Sequence, residues 1–568
     1  MGLFTSSPAD SLNEIASLSI TIGTTQVESS YNIFSVSVKK EVNKLSRATV
    51  SILGGDPKLG TFEESEDTPF QPGAPVEISF GYNQTNSVVY KGIVDKQKIS
   101  VKPGYHQAKG KNLLVIECVD MAVSLVNTYT TDIYESKSDS DIISTLLSKV
   151  SGLSKTVSTT SVVHDYLPKY DSNDWDFILN RAEANGMIIL NSDNKITVSE
   201  PESLSFFPMP TMEITYGDGV IDFEGEVNSA TQFSKLSYGS YDSFNEKFVS
   251  ADSQEPSLTS QGQDDGLSLS SNVGPSTNEF NISNEIDSLE AKQIASAMLT
   301  KSRMSRLVGQ ICVKGVNSLD LGDLVTLSGF GFNFDGTIYI TSLRHEFQRG
   351  QFMTWIGFGK RYNVMENKNT IRLSDWNPSI QGLHIGTVTK ITGDPNNEYR
   401  VMVNIPAIKA TGDGIWARLS NLYTTVKGGS FFIPELKSQV IVSFIANDIR
   451  QPVILGGLYT KKNSPYAPIS ATNDKKAIVT TSGMMLEFDD KAKKVTISSG
   501  KNSVAIDEKG ITLLSDKNSV AIDANGITLT APSNSIKLDG GGTTITASAL
   551  NLKVSKKLTI TSASTAIN

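Results

Sequence analysis

Three aspartates that could act as general acid and base lie close together at Asp171, Asp174 and Asp176. Two carboxylates at such short spacing can exchange protons with a substrate held between them. The same aspartates open a segment with helical periodicity, Ser172 to Asn185,. Negative charge is favoured at the start of a helix because the helix dipole is positive there. We therefore expect these aspartates to support a helix N-terminus rather than catalysis.

A second set of carboxylates, Asp507, Asp523 and Asp539, recurs at a spacing of 16 residues. Regularly spaced aspartates can bind calcium, but the GGxGxDx arrangement of calcium-binding repeats is absent from this sequence. Aspartate also caps turns by accepting hydrogen bonds from backbone N–H groups. Turn capping is therefore the favoured interpretation, with calcium binding as the alternative.

Trp416 and Arg418 alternate on an apolar segment and could stack on nucleic-acid bases. The chain has 51 Lys and Arg against 60 Asp and Glu, a net charge of −9. Binding to nucleic-acid phosphates needs concentrated positive charge. We expect these two residues to contribute to a core or to a contact between subunits, and we expect no nucleic-acid partner.

Other residue types that could bind a metal or carry out nucleophilic catalysis are sparse. Two cysteines sit in alternating apolar runs, which predicts small buried side chains, with a single disulfide as the alternative. The histidines never occur four residues apart, and no GxSxG, GxxxxGK[ST] or HExxH motif is present. No catalytic, cofactor-binding or metal-binding residue is predicted. These cysteines and histidines are Cys118, Cys312, His106, His164, His345 and His384.

The elements that position these residues form several domains. The chain has 568 residues, and about 150 residues per domain predicts roughly four domains. It contains no run of about 18 apolar residues. Its first residues lack the basic and apolar regions of a secretory signal. We expect neither a membrane span nor a signal peptide.

The first 375 residues are predicted to be mainly β with a few helices. Segments between residues 15 and 125 alternate like strands of a barrel or sandwich, and a second β-rich block covers 309–358. Helices are predicted at Ser140–Val150, Ser172–Asn185 and Asp287–Arg303. Residues 250–278, rich in Ser, Gln, Asp and Gly, are expected to form a surface excursion.

Residues 376–465 contain about five short strands, which predicts a small closed barrel of the oligonucleotide/oligosaccharide-binding (OB) type. Phe431, Phe432 and Pro434 are expected to pack this barrel, with contact to a neighbouring subunit as the alternative.

Residues 466–568 contain a repeat. Asn502, Asn518 and Asn534 each begin a related hexapeptide (NSVAID, NSVAID, NSIKLD) at a spacing of 16 residues, so one strand and one turn take about eight residues. A self-contained β-helix needs about 18 residues per coil even in its tightest form, so three chains are expected to wind together into a needle. The predicted needle core consists of Val504, Ile506, Ile511, Leu513, Val520, Ile522, Ile527, Leu529, Ile536, Leu538 and Ile545.

The run from Ile385 to Tyr459 resembles the VgrG family, the spike proteins of type VI secretion and related contractile injection systems. Further resemblance lies in Trp175–Gly186 and Leu321–Gly329, and in His345. The matching OB-fold signature is Gly386, Arg400, Pro406, Trp416, Arg418, Phe432, Pro434, Phe444, Asp448, Pro452 and Gly456.

The resemblance implies a mainly β, multidomain fold: phage-hub-like β-barrels in 1–375, an OB barrel in 376–465 and a trimeric β-helix needle in 466–568. It implies a non-enzymatic homotrimer that caps an inner tube, contacts baseplate proteins, carries a PAAR-type tip protein or effector cargo and punctures a target cell envelope. About 25 residues separate Tyr459 from Met484, too few for a lysozyme domain. Any toxic activity is expected to come from a separate protein.

Three alternatives remain open. Assembly in the bacterial cytoplasm followed by release in an extracellular phage-tail-like particle is favoured over a cell-bound type VI apparatus. A phage-tail glycan hydrolase or lyase would need a catalytic cluster on the needle, whereas Lys537, Lys553, Lys556 and Lys557 are interpreted as solvated charges. A surface adhesin would be monomeric.

Overall fold

The computed structural model describes residues 14–27, 31–56, 59–66, 68–102, 111–201, 210–258, 261–272, 277–282, 285–361, 379–409 and 411–564. The chain divides into two compact units, Met1–Leu458 and Tyr459–Asn568. The finer boundaries at 375 and 465 remain predictions. None of the helices within these described ranges has the length and apolarity needed to cross a bilayer.

The N-terminal region is built mainly from strands. In chain order they are β1 (Ala16–Ile22), β2 (Thr25–Gln26), β3 (Asn32–Glu41), β4 (Arg47–Leu53), β5 (Pro75–Tyr82), β6 (Thr85–Lys102), β7 (Lys111–Val119), β8 (Asp132–Ser138), β9 (Ser154–Val157), β10 (Val163–Lys169), β11 (Ile188–Ser192), β12 (Lys195–Ser199), β13 (Met212–Thr215), β14 (Val220–Val227), β15 (Lys235–Asp242), β16 (Lys247–Asp252), β17 (Thr277–Ile282), β18 (Leu307–Lys314), β19 (Leu324–Ser328), β20 (Gly336–Gln348) and β21 (Gln351–Phe358).

Thirteen of these strands form one sheet around two separate cores. The first core contains Ile78, Phe80 and Ile116. The second contains Ile311 and Ile356. The two predicted β-rich blocks are joined because β3 pairs with β20 in antiparallel register.

The helices are α1 (Val123–Asn127), α2 (Asp139–Leu147), α3 (Asp174–Ala184), α4 (Gly266–Asn272) and α5 (Ser288–Met304). The three predicted helices correspond to α2, α3 and α5 and are confirmed within about two residues at their first positions. Each begins with a side-chain cap that satisfies backbone N–H groups left without partners in the first turn. Ser138 caps α2, Asn173 caps α3 and Asp287 caps α5.

The segment expected to be a surface excursion, 250–278, contains more structure than predicted. It includes the end of β16, the helix α4 and the start of β17. Leu269 of α4 is buried, and Glu255 accepts two hydrogen bonds, of 2.5 and 2.9 Å, from the Arg303 guanidinium of α5. The composition did not indicate these contacts because both depend on residues outside the segment.

The predicted five-stranded barrel is confirmed. Its strands close in the order β22-β23-β24-β28-β27 around Val403, Val442 and Ile454. A two-stranded hairpin leaves the barrel between β24 and β27. The strands are β22 (His384–Lys390), β23 (Val401–Asn404), β24 (Ile415–Leu419), β25 (Thr424–Thr425), β26 (Gly428–Gly429), β27 (Gln439–Phe444) and β28 (Pro452–Leu458).

The strands described in the second unit form a single nine-stranded sheet, called here the needle sheet, in which every neighbouring pair is antiparallel. Its strands follow one another in sequence order as a meander. They are β29 (Lys475–Val479), β30 (Met485–Asp489), β31 (Lys494–Ser499), β32 (Asn502–Asp507), β33 (Gly510–Ser515), β34 (Asn518–Asp523), β35 (Gly526–Ala531), β36 (Asn534–Asp539) and β37 (Gly542–Thr546).

Candidate functional site

The eleven predicted needle-core residues lie on one face of the needle sheet in two cross-strand columns. Side chains of directly paired residues in a sheet share a face, and the register pairs Val504 with Leu513 and Ile506 with Ile511. The first column is Val504, Leu513, Val520, Leu529, Ile536 and Ile545, and the second is Ile506, Ile511, Ile522, Ile527 and Leu538, followed by Thr543. We call these two columns the apolar ladder.

Apart from Leu514, the opposite face of the same strands carries small and polar side chains. One column there pairs Thr512 with Ala521, Thr528 with Lys537 and Lys537 with Thr544. Because side chains alternate between faces along a strand, the two faces of this narrow sheet differ sharply in polarity.

The apolar ladder is open in the single chain. Leu513 is 42% exposed and Leu529 is 40% exposed, and the described residues of this unit form one sheet with no second layer. Monomeric proteins rarely leave a contiguous apolar surface of this size in water. The face is therefore a candidate assembly surface.

The hairpins that set this register rely on aspartate and glycine. Asp507 Oδ1 accepts hydrogen bonds from the backbone N–H of Lys509 at 2.8 Å and of Gly510 at 3.2 Å. Asp523 and Asp539 make the equivalent bond to the residue two positions later. The predicted turn-capping role of the three aspartates is confirmed.

The OB-fold signature residues occupy the barrel and its loops. Gly386 lies on β22 where an added Cβ would be 2.3 Å from Val403 Cγ1, and the Arg400 guanidinium binds Asp394. Burial raises the pKa of Asp394, but the hydrogen bonds from Arg400 outweigh it and the net shift is downward. The remaining members are Pro406 in a turn after β23, Trp416 and Arg418 on β24, Phe432 and Pro434 in the loop before β27, Phe444 on β27, Asp448 after it, and Pro452 and Gly456 on β28.

The expectation that Phe431 and Phe432 pack the barrel is wrong. Both side chains are mostly exposed, whereas Ile433 between them and Pro434 packs against the barrel core. In a short loop neighbouring side chains cannot all turn inward, and sequence alone did not indicate which one does.

Charged contacts join the barrel to the N-terminal region. Arg450 Nη1 lies 2.9 Å from Glu290 of α5, and its Nη2 lies 2.9 Å from the buried Asp448. Arg418 Nη1 lies 2.9 Å from Glu285. We call these contacts the hub–barrel joint.

Arg418, expected to contribute to a core or to a contact between subunits, is not a core residue: its side chain is 40% exposed and contacts the N-terminal region of its own chain. Its guanidinium is held by Glu285 and by the Ser243 hydroxyl. Sequence reasoning missed Arg450, Glu285 and Glu290, because ion pairs between residues more than 100 positions apart leave no local pattern.

The aspartate cluster near Trp175 has a structural role. Asp174 is fully buried at the start of α3 and forms ion pairs with Lys169 at 2.5 Å and Lys149 at 3.0 Å. Asp176 is held by the Asn173 cap. These contacts agree with the predicted helix N-terminus.

The two cysteines are free and buried, as the favoured interpretation predicted. Burial raises the pKa of Cys118 to about 12 and of Cys312 to about 11, so neither is a reactive thiolate. Within the described ranges, no group of three or more His, Cys, Asp or Glu side chains could hold a metal ion.

Solved structures with similar folds are tail and secretion proteins. The Francisella PdpA–VgrG complex in its half-lidded form is 10% identical, with a TM-score of 0.53, covering 91% of this chain and 88% of that chain. The Escherichia coli type VI secretion component c3393 is 11% identical, with a TM-score of 0.46 and coverage of 77% and 99%. The 43 kDa tail protein of prophage MuSo2 from Shewanella oneidensis is 13% identical, with a TM-score of 0.45 and coverage of 61% and 98%.

The likeness to the Francisella complex confirms the expected resemblance to VgrG proteins at the level of the fold. No curated protein matches this sequence significantly. Residues 384–459 match the type VI secretion system/phage-baseplate injector OB domain, in agreement with the closed barrel. Residues 12–349, more than half of the chain, match the Alg8 N-terminal domain. The chain therefore belongs to the Alg8 N-terminal domain family.

Proposed function

We propose that this chain is the non-enzymatic central spike of a contractile injection system, acting as a homotrimer. The observation that carries the proposal is the apolar ladder, in which every member from β32 to β36 is apolar and one whole face is open. Ten of its eleven predicted side chains are 36% to 50% exposed. Covering the ladder therefore stabilises the assembly by on the order of 10 kcal/mol per chain.

Three copies suit this surface better than two. The strands of the repeat have five or six residues and are joined by two-residue turns, so each sheet is narrow. Three narrow sheets enclose a triangular prism with all the apolar columns inside and the Thr, Ser and Ala columns outside. Cross-strand hydrogen bonds repeat along such a needle and share a compressive load.

The other parts of the molecule take the roles that the VgrG-like fold suggests. The N-terminal sheet with its two cores caps the inner tube and contacts baseplate proteins, and the OB barrel connects it to the needle. The distal end of the needle carries a PAAR-type tip protein or effector cargo and punctures the target envelope.

The trimer is tested by light scattering on the purified chain. Three times the chain mass of 61.3 kDa is about 184 kDa. Leu529→Lys puts a charge into the closed interior and is expected to break the trimer. Thr530→Lys, one residue away on the opposite face, is the matched control and should leave the mass unchanged. A monomer or dimer mass for the unmodified chain contradicts the proposal.

We further propose that the spike is assembled in the cytoplasm and leaves the cell in a free extracellular particle. Antibody labelling of contractile particles collected from culture medium tests this. Label on released particles is expected, whereas label restricted to cell envelopes would favour a cell-bound type VI apparatus. Glycan turnover by the purified protein would contradict the non-enzymatic role.

A further inference from the structure

Positive charge is concentrated in the second unit of the chain. Residues Tyr459–Asn568 contain 14 Lys, no Arg and nine Asp or Glu, a net charge of +5. The chain as a whole carries −9, so Met1–Leu458 carries −14. Clustered charge of one sign attracts partners of the opposite sign. The second unit is therefore the part of this acidic protein that can attract an anionic partner.

Within the needle sheet the positive charge is nearly balanced. Residues 475–539 contain nine Lys against eight Asp or Glu. The balance ends there, because residues 540–568 contain three Lys and no Asp or Glu. Several lysines of the sheet form ion pairs, namely Lys476 with Asp490, Lys493 with Glu508, Lys501 with Asp516 and Lys537 with Asp539.

The three lysines beyond the sheet are Lys553, Lys556 and Lys557, and we call residues 550–560 the basic segment. All three lysines are exposed. None of the ion pairs among the described residues of this unit includes them. The apolar side chains of the same segment are 48% to 71% exposed. The segment therefore presents unbalanced positive charge together with apolar surface, a combination that favours the interface of an anionic bilayer.

The residue types in and around this segment favour a lipid surface over a protein or a nucleic acid. Protein interfaces are enriched in aromatic residues and Arg and depleted in Lys, whereas residues 489–568 contain no aromatic residue and no Arg. Without an aromatic platform, nucleic-acid bases have nothing on which to stack. The flexible ammonium groups of lysine suit the diffuse negative charge of lipid phosphates.

We propose that the basic segment binds the surface of an anionic bilayer through the phosphate groups of its lipids. This inference rests on the proposed role as an envelope-puncturing spike. Residues 550–560 lie in neither a strand nor a helix, so in hydrocarbon their backbone N–H and C=O groups would lack partners. The segment therefore stays at the level of the lipid headgroups. The aromatic residues that anchor proteins at this level are missing, so the attraction is mainly electrostatic.

Vesicle sedimentation with the full chain tests the proposal. The protein should bind vesicles of equal parts phosphatidylcholine and phosphatidylglycerol at about 50 mM salt, and about 500 mM salt should release it because added ions screen the attraction. Vesicles of phosphatidylcholine alone should bind the protein about tenfold more weakly or less. Lys553→Gln/Lys556→Gln/Lys557→Gln should weaken binding to the anionic vesicles by about tenfold or more.

The matched control is Lys476→Gln/Lys493→Gln/Lys501→Gln, which removes the same charge from exposed lysines that have carboxylate partners. It should bind the anionic vesicles nearly as well as the unmodified chain. Equal affinities of the two variants, equal binding to both kinds of vesicle, or no binding to either overturns the proposal. Binding to soluble poly-glutamate but not to vesicles overturns it in favour of an acidic protein partner. A monomeric mass in light scattering instead contradicts the proposed function, so the two failures are distinguishable.

Discussion

At the scale of single residues, the needle sheet depends on glycines that no other residue can replace. Gly526 has φ of 129° and begins β35 directly against the Leu538 carbonyl. Positive φ and the close approach both exclude a Cβ. The eight-residue step therefore depends on backbone chemistry as much as on the apolar pattern.

Gly526→Ala is expected to open the β35–β36 hairpin locally, lowering its opening free energy by about 2 kcal/mol or more. Hydrogen exchange of the amides in these two strands measures it. Gly540→Ala is the control, because no atom lies within 4 Å of its added Cβ. Equal protection in both variants would contradict the steric argument.

His345 has a different residue-scale role in the N-terminal region. It lies between Phe80 and Phe352, and its Nδ1 is 3.0 Å from Thr354 Oγ1. Burial, assisted by Lys40, lowers its pKa to about 3. The folded protein therefore holds a neutral imidazole at any ordinary pH.

Because unfolded histidine binds a proton near pH 6.5, unfolding takes up a proton between that pH and about pH 3,. The free energy of unfolding should fall by about 1.4 kcal/mol per pH unit within this interval as pH decreases. His345→Asn removes the titrating group and should flatten the slope by that amount in urea unfolding at pH 4.5, 5.5 and 6.5. An unchanged slope would show that His345 is protonated in the fold.

At the scale of elements, the hub–barrel joint holds α5 against the barrel. Arg450 is 11% exposed, as is Glu290, and Asp448 is fully buried. Burial lowers the pKa of Arg450, but its two carboxylate partners raise it by more. The guanidinium charge balances the charges of both carboxylates at a place from which water is largely excluded.

Arg450→Met should destabilise the protein by about 3 kcal/mol or more, because it leaves two carboxylates without their cation. Arg418→Met is the comparison, since Arg418 and Glu285 are 40% and 31% exposed, and an exposed pair contributes about 1 kcal/mol or less. Urea midpoints measure both. Similar losses of unfolding free energy in the two variants would mean that burial does not decide how much each ion pair stabilises the protein.

At the scale of the whole molecule, the needle should be stable only as an assembly. The buried cores described for the chain all lie within the first unit, and the needle sheet adds none of its own. A face left open in one copy is covered only when copies associate.

Unfolding of the needle should therefore depend on protein concentration, since association stabilises the folded state by mass action. Hydrogen exchange of the amides in β31–β36 can be followed as urea is added. A tenfold higher protein concentration should raise the urea concentration at which half of their protection is lost. The buried strand β4 should show a much smaller change. Concentration-independent protection of the needle would indicate a sheet that folds as a single chain.

Local features of the fold were predictable to the extent that their cause was local. The starts of α2 and α3 were predicted within two residues, because their caps Ser138 and Asn173 bond their own first turn. The barrel strands were predicted from alternation. The pairing of β3 with β20 and the contact of Arg450 with Glu290 were not predictable, because long-range pairing leaves no periodic signal. The prediction that Phe431 packs the barrel was wrong for a related reason. Apolar character alone does not decide whether a loop side chain points toward the core or toward solvent.

The sequence by itself determined the repeat, the eleven residues of the apolar ladder and the turns that space them. Side chains alternate with a period of two and turns need particular residues, so both are properties of short segments. Only the tertiary structure decided that the ladder occupies one continuous face, that nothing in the described part of its unit covers it, and that the meander ends at β37. Those facts depend on register and on steric contact between strands, which exist only once the chain has folded.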